Sequence, residues 1–157
     1  MQNKSIKKEL WLLGALALIG IAMLIWGSLD SLDVRLYYSA EEARSFFQGL
    51  SEAQRRAYLR NEIFDMGFMT TYSFLFLCLF QRFCQAYSRF SWVAFVPGIL
   101  DVVETGSIIA VLVGVLKETP SWLGVVTCLK WVTGAVFLLF ILFRWIKQRS
   151  FSISDTE

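Results

Sequence analysis

The chain has 157 residues, 56% of them apolar and 18% charged, against roughly half and about a quarter in an average soluble domain. With 15 Lys+Arg and 13 Asp+Glu the net charge is +2, and no basic run interleaved with aromatics follows one face, which argues against nucleic acid as a partner. There is no histidine, so the commonest zinc ligand and the commonest general base near neutral pH are both excluded.

A helix crossing about 30 Å of hydrocarbon needs about 20 mostly apolar residues, and four stretches qualify. The first, Leu10 to Leu29, carries no charge between Glu9 and Asp30, and Trp11 and Trp26 stand near its ends as interfacial anchors would. Lys4, Lys7 and Lys8 ahead of it would also suit a signal peptide. The apolar run is long and lacks a small-x-small cleavage site, however, so an uncleaved anchor is expected.

The segment 30–62 that follows is the one sizeable polar stretch. Two capping boxes punctuate it, Ser39 with Glu42 and Ser51 with Gln54, each able to satisfy free N–H groups at a helix start. They predict a short helix from Ala40 to Gln48, a break at Gly49, and a second helix from Glu52 that runs on into the next span. The segment reads either as a solvated connector or as a lid on the bundle mouth, because Phe46, Phe47, Leu50, Tyr58 and Leu59 offer apolar surface among Arg44, Arg55, Arg56 and Arg60. Arginines at that depth also suit lipid phosphates.

The second span is expected from about Ile63 to Gln81, the third from about Phe90 to Leu116 and the fourth from about Ser121 to Phe143. Their connections, Arg82 to Arg89 and Lys117 to Pro120, are short enough to require antiparallel neighbours. Backbone groups in lipid must satisfy one another. The expected fold is therefore all-α, a single integral membrane domain formed as an antiparallel four-helix bundle with a short helical extramembrane segment between helices 1 and 2. With four crossings, one side holds Lys4, Lys7, Lys8, Arg82, Arg89, Arg144, Lys147 and Arg149, and the other holds Arg35, Arg44, Arg55, Arg56, Arg60 and Lys117. The richer side belongs inside, which predicts a multi-pass protein of the inner (cytoplasmic) membrane with both termini cytoplasmic and Cys84 in a cytoplasmic loop.

Spans two to four carry Asp65, Asp101, Glu104 and Lys130. A charge at mid-bilayer costs on the order of 3 kcal/mol and rarely persists without a partner or a task. Taking the turn between spans two and three near Gln85, Asp65 lies twenty residues before it and Glu104 nineteen after, so the two carboxylates stand at nearly the same height. Asp101 shares the face of Glu104 by i, i+3 spacing. Lys130, reckoned from the turn near Thr119, lies roughly 6 Å above Glu104, a gap its stem can cover. Polar stripes on each helix point the same way: Tyr58, Asn61, Asp65, Met69 and Tyr72 on span two, Asp101, Glu104 and Thr105 on span three, Thr127 and Lys130 on span four with Gly134 below.

These faces predict a buried binding site of Asp65, Asp101, Glu104 and Lys130, decorated by Asn61, Tyr72, Thr105 and Thr127. Three acids against one base imply either a protonated carboxyl or a bound cation. The bland alternative is a Lys–carboxylate pair that sets helix register, and the spacing leaves open which acid pairs with Lys130. No metal site or cofactor is expected: without histidine only hard, oxygen-preferring ions would suit these ligands, and Cys78, Cys84 and Cys128 form no CxxC pair. Gly106, Ala110 and Gly114 make two small-xxx-small steps on span three, a seam suited to span one, to a second copy or to a partner membrane protein. Pro97-Gly98, one turn before Asp101, is expected to kink or loosen the helix.

In the order of its short motifs the chain resembles a family of small uncharacterised four-span bacterial integral membrane proteins. The motifs are Asp33-Val-Arg35, Tyr38-Ser39 with Glu41-Glu42, Arg55-Arg56-Ala-Tyr58, Asp65 with Tyr72, Asp101-Val-Val-Glu104, and Thr127-Cys-Leu-Lys130-Trp131. It departs from that pattern at Tyr37 and Thr105, where Gly and Asn would be expected, and in having no proline near Met69. The resemblance implies no reaction; it implies that the acids and Lys130 belong to one constellation.

The preferred reading is a polytopic membrane protein, in contact with membrane lipids, whose acidic site binds or transports a small cationic or amphipathic solute, or protons. The alternatives are a lipid-modifying enzyme that uses the carboxylates and a structural or accessory subunit. The enzyme reading lacks a histidine, a nucleophile and a phosphate-binding motif.

Overall fold

A computed structural model describes the backbone at residues 2–26, 31, 32 and 34–154, and the side chains at 10–23, 25, 31, 32 and 34–148. The end of the predicted first span at Leu29, the Trp26 anchor, Asp33 and the terminal basic residues Lys4, Lys7, Lys8 and Arg149 lie outside the described side chains. Every regular element among the described residues is helical: α1 (Gln2–Trp26), α2 (Ala40–Gly49), α3 (Glu52–Phe83), a 3₁₀ segment (Gln85–Phe95), α4 (Val96–Leu112) and α5 (Leu123–Ser154).

Three helical stretches are long and apolar enough to cross a membrane: Glu52–Phe83, Gln85–Leu112 and Leu123–Gln148. The described apolar part of α1 is shorter, Leu10–Met23. Large apolar side chains point outward along all of them, among them Leu18 and Ile25 on α1, Ile99 and Val102 on α4, and Val136, Leu139 and Phe143 on α5, an apolar exterior of the kind that marks an interaction surface.

Both capping boxes form as predicted. Ser39 and Ser51 each accept from the backbone N–H three residues on, while Glu42 and Gln54 reach back to the cap N–H. Helix α2 then turns Ala43 and Phe47, four residues apart, into the core. Segment 31–50 is thus no solvated connector. Leu32, Tyr38, Ala43 and Phe47 are buried with Tyr58 of α3, Ile108 and Leu112 of α4 and Leu123 of α5 in one apolar cluster that closes this end of the bundle. We call residues 31–50 the lid.

Helix α3 runs unbroken for 32 residues, about 48 Å, so its first turns, with Arg55, Arg56 and Arg60, project past any one crossing. A second apolar cluster of Phe80, Cys84, Ala94, Phe137 and Ile141 fills the opposite end, where the ring of Phe76 stacks on Phe137 at 4.7 Å. Cys84 lies, as expected, outside the helices, at the junction between α3 and the 3₁₀ segment, and is buried in that cluster.

The helix C-termini are capped from neighbouring helices. Arg55 donates to the Leu112 carbonyl at 2.7 Å, while Arg144 and Gln148 donate to the Phe83 carbonyl at 3.3 and 3.1 Å. Each cap supplies hydrogen-bond donors to carbonyls that the helix itself cannot satisfy, and the arginines bring positive charge to the negative end of the dipole. These contacts make α4 antiparallel to α3 and set α5 alongside α3 in the same direction.

Three expectations are corrected. The third span does not begin as an α-helix near Phe90: residues 85–95 are wound as 3₁₀ helix, with Tyr87 out of helical geometry, and the α-helix starts at Val96. Pro97 sits in its first turn, where proline's missing N–H deprives no bond, so it opens α4 rather than kinking it. Gly114 lies beyond α4 with φ of 78°, the left-handed residue that ends a helix; the small-residue seam therefore loses its third member. The seam does not meet α1 either. Gly106 faces open space, and α1 packs on α3, where Ile19 lies 3.7 Å from the position a Cβ would take on Gly67.

Candidate functional site

The polar network lies between the two apolar clusters. Lys130 reaches in from α5 with its Nζ 2.9 Å from Asp101 Oδ1 and 2.6 Å from Glu104 Oε2. That resolves the pairing left open by the spacing: Lys130 serves both acids of α4 at once, as their placement one turn apart on one face allows. Asp65 takes a different partner, accepting from the Thr105 hydroxyl at 3.1 Å.

The remaining carboxylate oxygens are met by hydroxyls from other elements. Tyr72 of α3 donates to Asp101 Oδ2 at 2.8 Å. Glu104 Oε1 accepts from Thr127 of α5 and, at 3.2 Å, from Tyr38 of the lid. Buried charges persist when paired and hydrogen-bonded, and here each acid has a donor on a second helix. The network ties the lid, α3, α4 and α5 together.

Two glycines permit the close approaches. A Cβ on Gly124 would overlap the backbone carbonyl of Tyr38, and one on Gly98 would overlap the Ser73 hydroxyl. The absence of a side chain at Gly124 thus lets the lid backbone sit directly on the start of α5, within reach of Glu104. Three further bonds hold the lid. Leu32 N–H and, more loosely, the Ser31 hydroxyl donate to the Tyr58 hydroxyl at 3.0 and 3.5 Å, and Trp131 Nε1 donates to the Arg35 carbonyl at 3.0 Å.

Beneath the lid is a half-enclosed cavity of about 740 Å³. Its polar lining is Ser31, Asn61, Asp65, Tyr72, Asp101 and Lys130; the rest is apolar or aromatic, with Met23, Phe68, Phe76, Trp131 and Leu138 the large members. The eight predicted site residues fall into two groups. Asn61, Asp65, Tyr72, Asp101 and Lys130 line the cavity, whereas Glu104, Thr105 and Thr127 are wholly buried behind its wall. Glu104 is therefore the anchor that holds Lys130, and Asp65 is an acid that presents itself to the cavity.

Sequence reasoning missed Tyr38, which no helical period marked, although it stood in the quoted Tyr38-Ser39 motif. It also missed Glu62, read as the last residue of the polar segment and in fact fully buried on α3. Among the described residues no group of three His, Cys, Asp or Glu side chains is arranged to hold a metal ion.

No family model, curated protein or solved structure matches the chain. What the site can do is set by its own geometry.

Proposed function

We propose that this is a four-span integral membrane protein of the inner membrane, with both termini cytoplasmic, whose cavity binds or moves a small cationic or amphipathic solute, or protons. The observation that carries this reading is the charge of the cavity wall. Asp65 and Asp101 face the space, while Lys130, the single cation among its described lining residues, is shared with Glu104 behind it. Among the described lining residues two carboxylates face one ammonium, and charges in surroundings of low dielectric act strongly on a solute. Phe68, Tyr72 and Trp131 line the same space, and aromatic faces attract cations. The volume falls within the roughly 300–1,000 Å³ usual for ligand sites.

In this reading Asp101, Glu104 and Lys130 form the fixed frame and Asp65, with Asn61 one turn away, supplies recognition. The test is calorimetric titration of the purified protein in lipid nanodiscs with tetramethylammonium. Saturable binding that Asp65→Asn weakens by about tenfold, some 1.4 kcal/mol, is expected. Binding that is absent, or indifferent to Asp65→Asn, overturns the proposal.

A further inference from the structure

Resting on that cation-binding reading, we propose that the occupant is a single-chain amphipath with a cationic headgroup, its head beside Asp65 and its chain running along α3 and α5 toward Leu138. The cavity is graded along its length. Asn61 and Asp65 stand at the lid end; Tyr72, Asp101 and Lys130 follow on the same wall; Phe76, Pro97 and Leu138 line the far end. From Asn61 to Phe76 the lining spans fifteen residues of α3, about 22 Å. A compact cation would occupy only the polar part and leave the apolar end empty.

The two flanks differ in kind. All the charged lining comes from α3, α4 and α5; α1 contributes Gly20 and Met23 near the level of Asp65, since Ile19 lies beside Gly67, while α5 contributes Gly134, Ala135 and Leu138 toward the far end, where Phe137 stacks on Phe76. The small residues Gly134 and Ala135 leave width on the α5 side for a hydrocarbon chain. At the lid end Leu32 bonds to Tyr58 and Trp131 to Arg35, holding the lid across the bundle. A molecule anchored at Asp65 therefore extends toward Leu138 rather than past the lid.

The experiment compares tetramethylammonium, dodecyltrimethylammonium and dodecanol by calorimetry on the full chain in nanodiscs, with empty nanodiscs subtracted for partition into lipid. The variants are Asp65→Asn and Gly134→Leu, the second at a position where an added Cβ meets nothing within 4 Å. We expect dodecyltrimethylammonium to bind at least about tenfold more tightly than tetramethylammonium, and dodecanol to bind more weakly than its charged counterpart. Gly134→Leu should abolish the chain-length advantage and leave tetramethylammonium binding in place. Equal binding of the two cations overturns the chain inference while the cation reading stands. If tetramethylammonium does not bind, or if dodecanol binds as well as dodecyltrimethylammonium, the cation reading falls and the inference with it.

Discussion

Tyr38 of the lid donates its hydroxyl to Glu104 of α4 at 3.2 Å, joining two residues 66 positions apart, and Glu104 also contacts Lys130 at 2.6 Å. The lid is thus bonded to the carboxylate that helps hold the bundle's buried cation. Tyr38→Phe keeps the ring in the apolar cluster and removes only the hydroxyl. A loss of about 1–2 kcal/mol in stability is expected, with faster hydrogen exchange across residues 34–39. Unchanged exchange there would show that the bond does not hold the lid.

Lys130→Met leaves Asp101 and Glu104 facing each other without their shared cation. Breaking a buried pair from one side costs about 3–5 kcal/mol, and chemical denaturation in detergent should register a loss of that size. Adding Glu104→Gln to Lys130→Met removes one of the stranded charges and should recover at least half of it. If the double variant is no more stable than the single one, the two residues are not coupled.

Much of this frame was legible in the sequence. Helical period and residue counts from the turns place Asp65, Asp101, Glu104 and Lys130 at compatible heights, because a straight helix converts sequence number directly into distance. The same reckoning cannot choose partners, since Lys130 reaches Asp101 and Glu104 equally and only packing turns Asp65 toward Thr105. Tyr38 escaped because the stretch 34–39 has no period: its position follows from Gly124, a residue distant in sequence whose missing side chain admits it. Gly114 looked like a helix-face residue because spacing alone does not reveal a left-handed backbone.

Gly124→Ala and Gly106→Ala should behave oppositely. The first forces a Cβ into the Tyr38 carbonyl, backbone against backbone, whereas the second adds one to open space. Gly124→Ala is expected to lower the melting temperature and to raise exchange across the lid as Tyr38→Phe does. Gly106→Ala, at an exposed position within a helix, should be neutral or stabilising by up to about 1 kcal/mol. Equal effects at both positions would contradict the close approach at Gly124.

Glu42 sets the acid limit of the lid. The Ser39 backbone N–H, then the Ser39 hydroxyl, hold its carboxyl below its ordinary value of 4.5. A lowered folded-state pKa gives stability that is complete above the ordinary value and is lost as pH falls through the folded one. Exchange across α2 should therefore rise below about pH 4.5, and Glu42→Gln, which keeps a hydrogen-bonding oxygen without the charge, should flatten that dependence. A Gln variant with the same acid profile would assign it to other groups.

The position of Lys130 in the chain bears on how the protein is made. During synthesis Asp65, Asp101 and Glu104 all leave the ribosome before the residue that neutralises two of them. Until α5 follows, Asp101 and Glu104 are without Lys130, and an acid facing hydrocarbon alone is expensive. If the chain spans the membrane as proposed, α3 and α4 are expected to dwell near water or the insertion machinery until α5 arrives, and nascent chains halted before Lys130 should be preferred targets for membrane quality control.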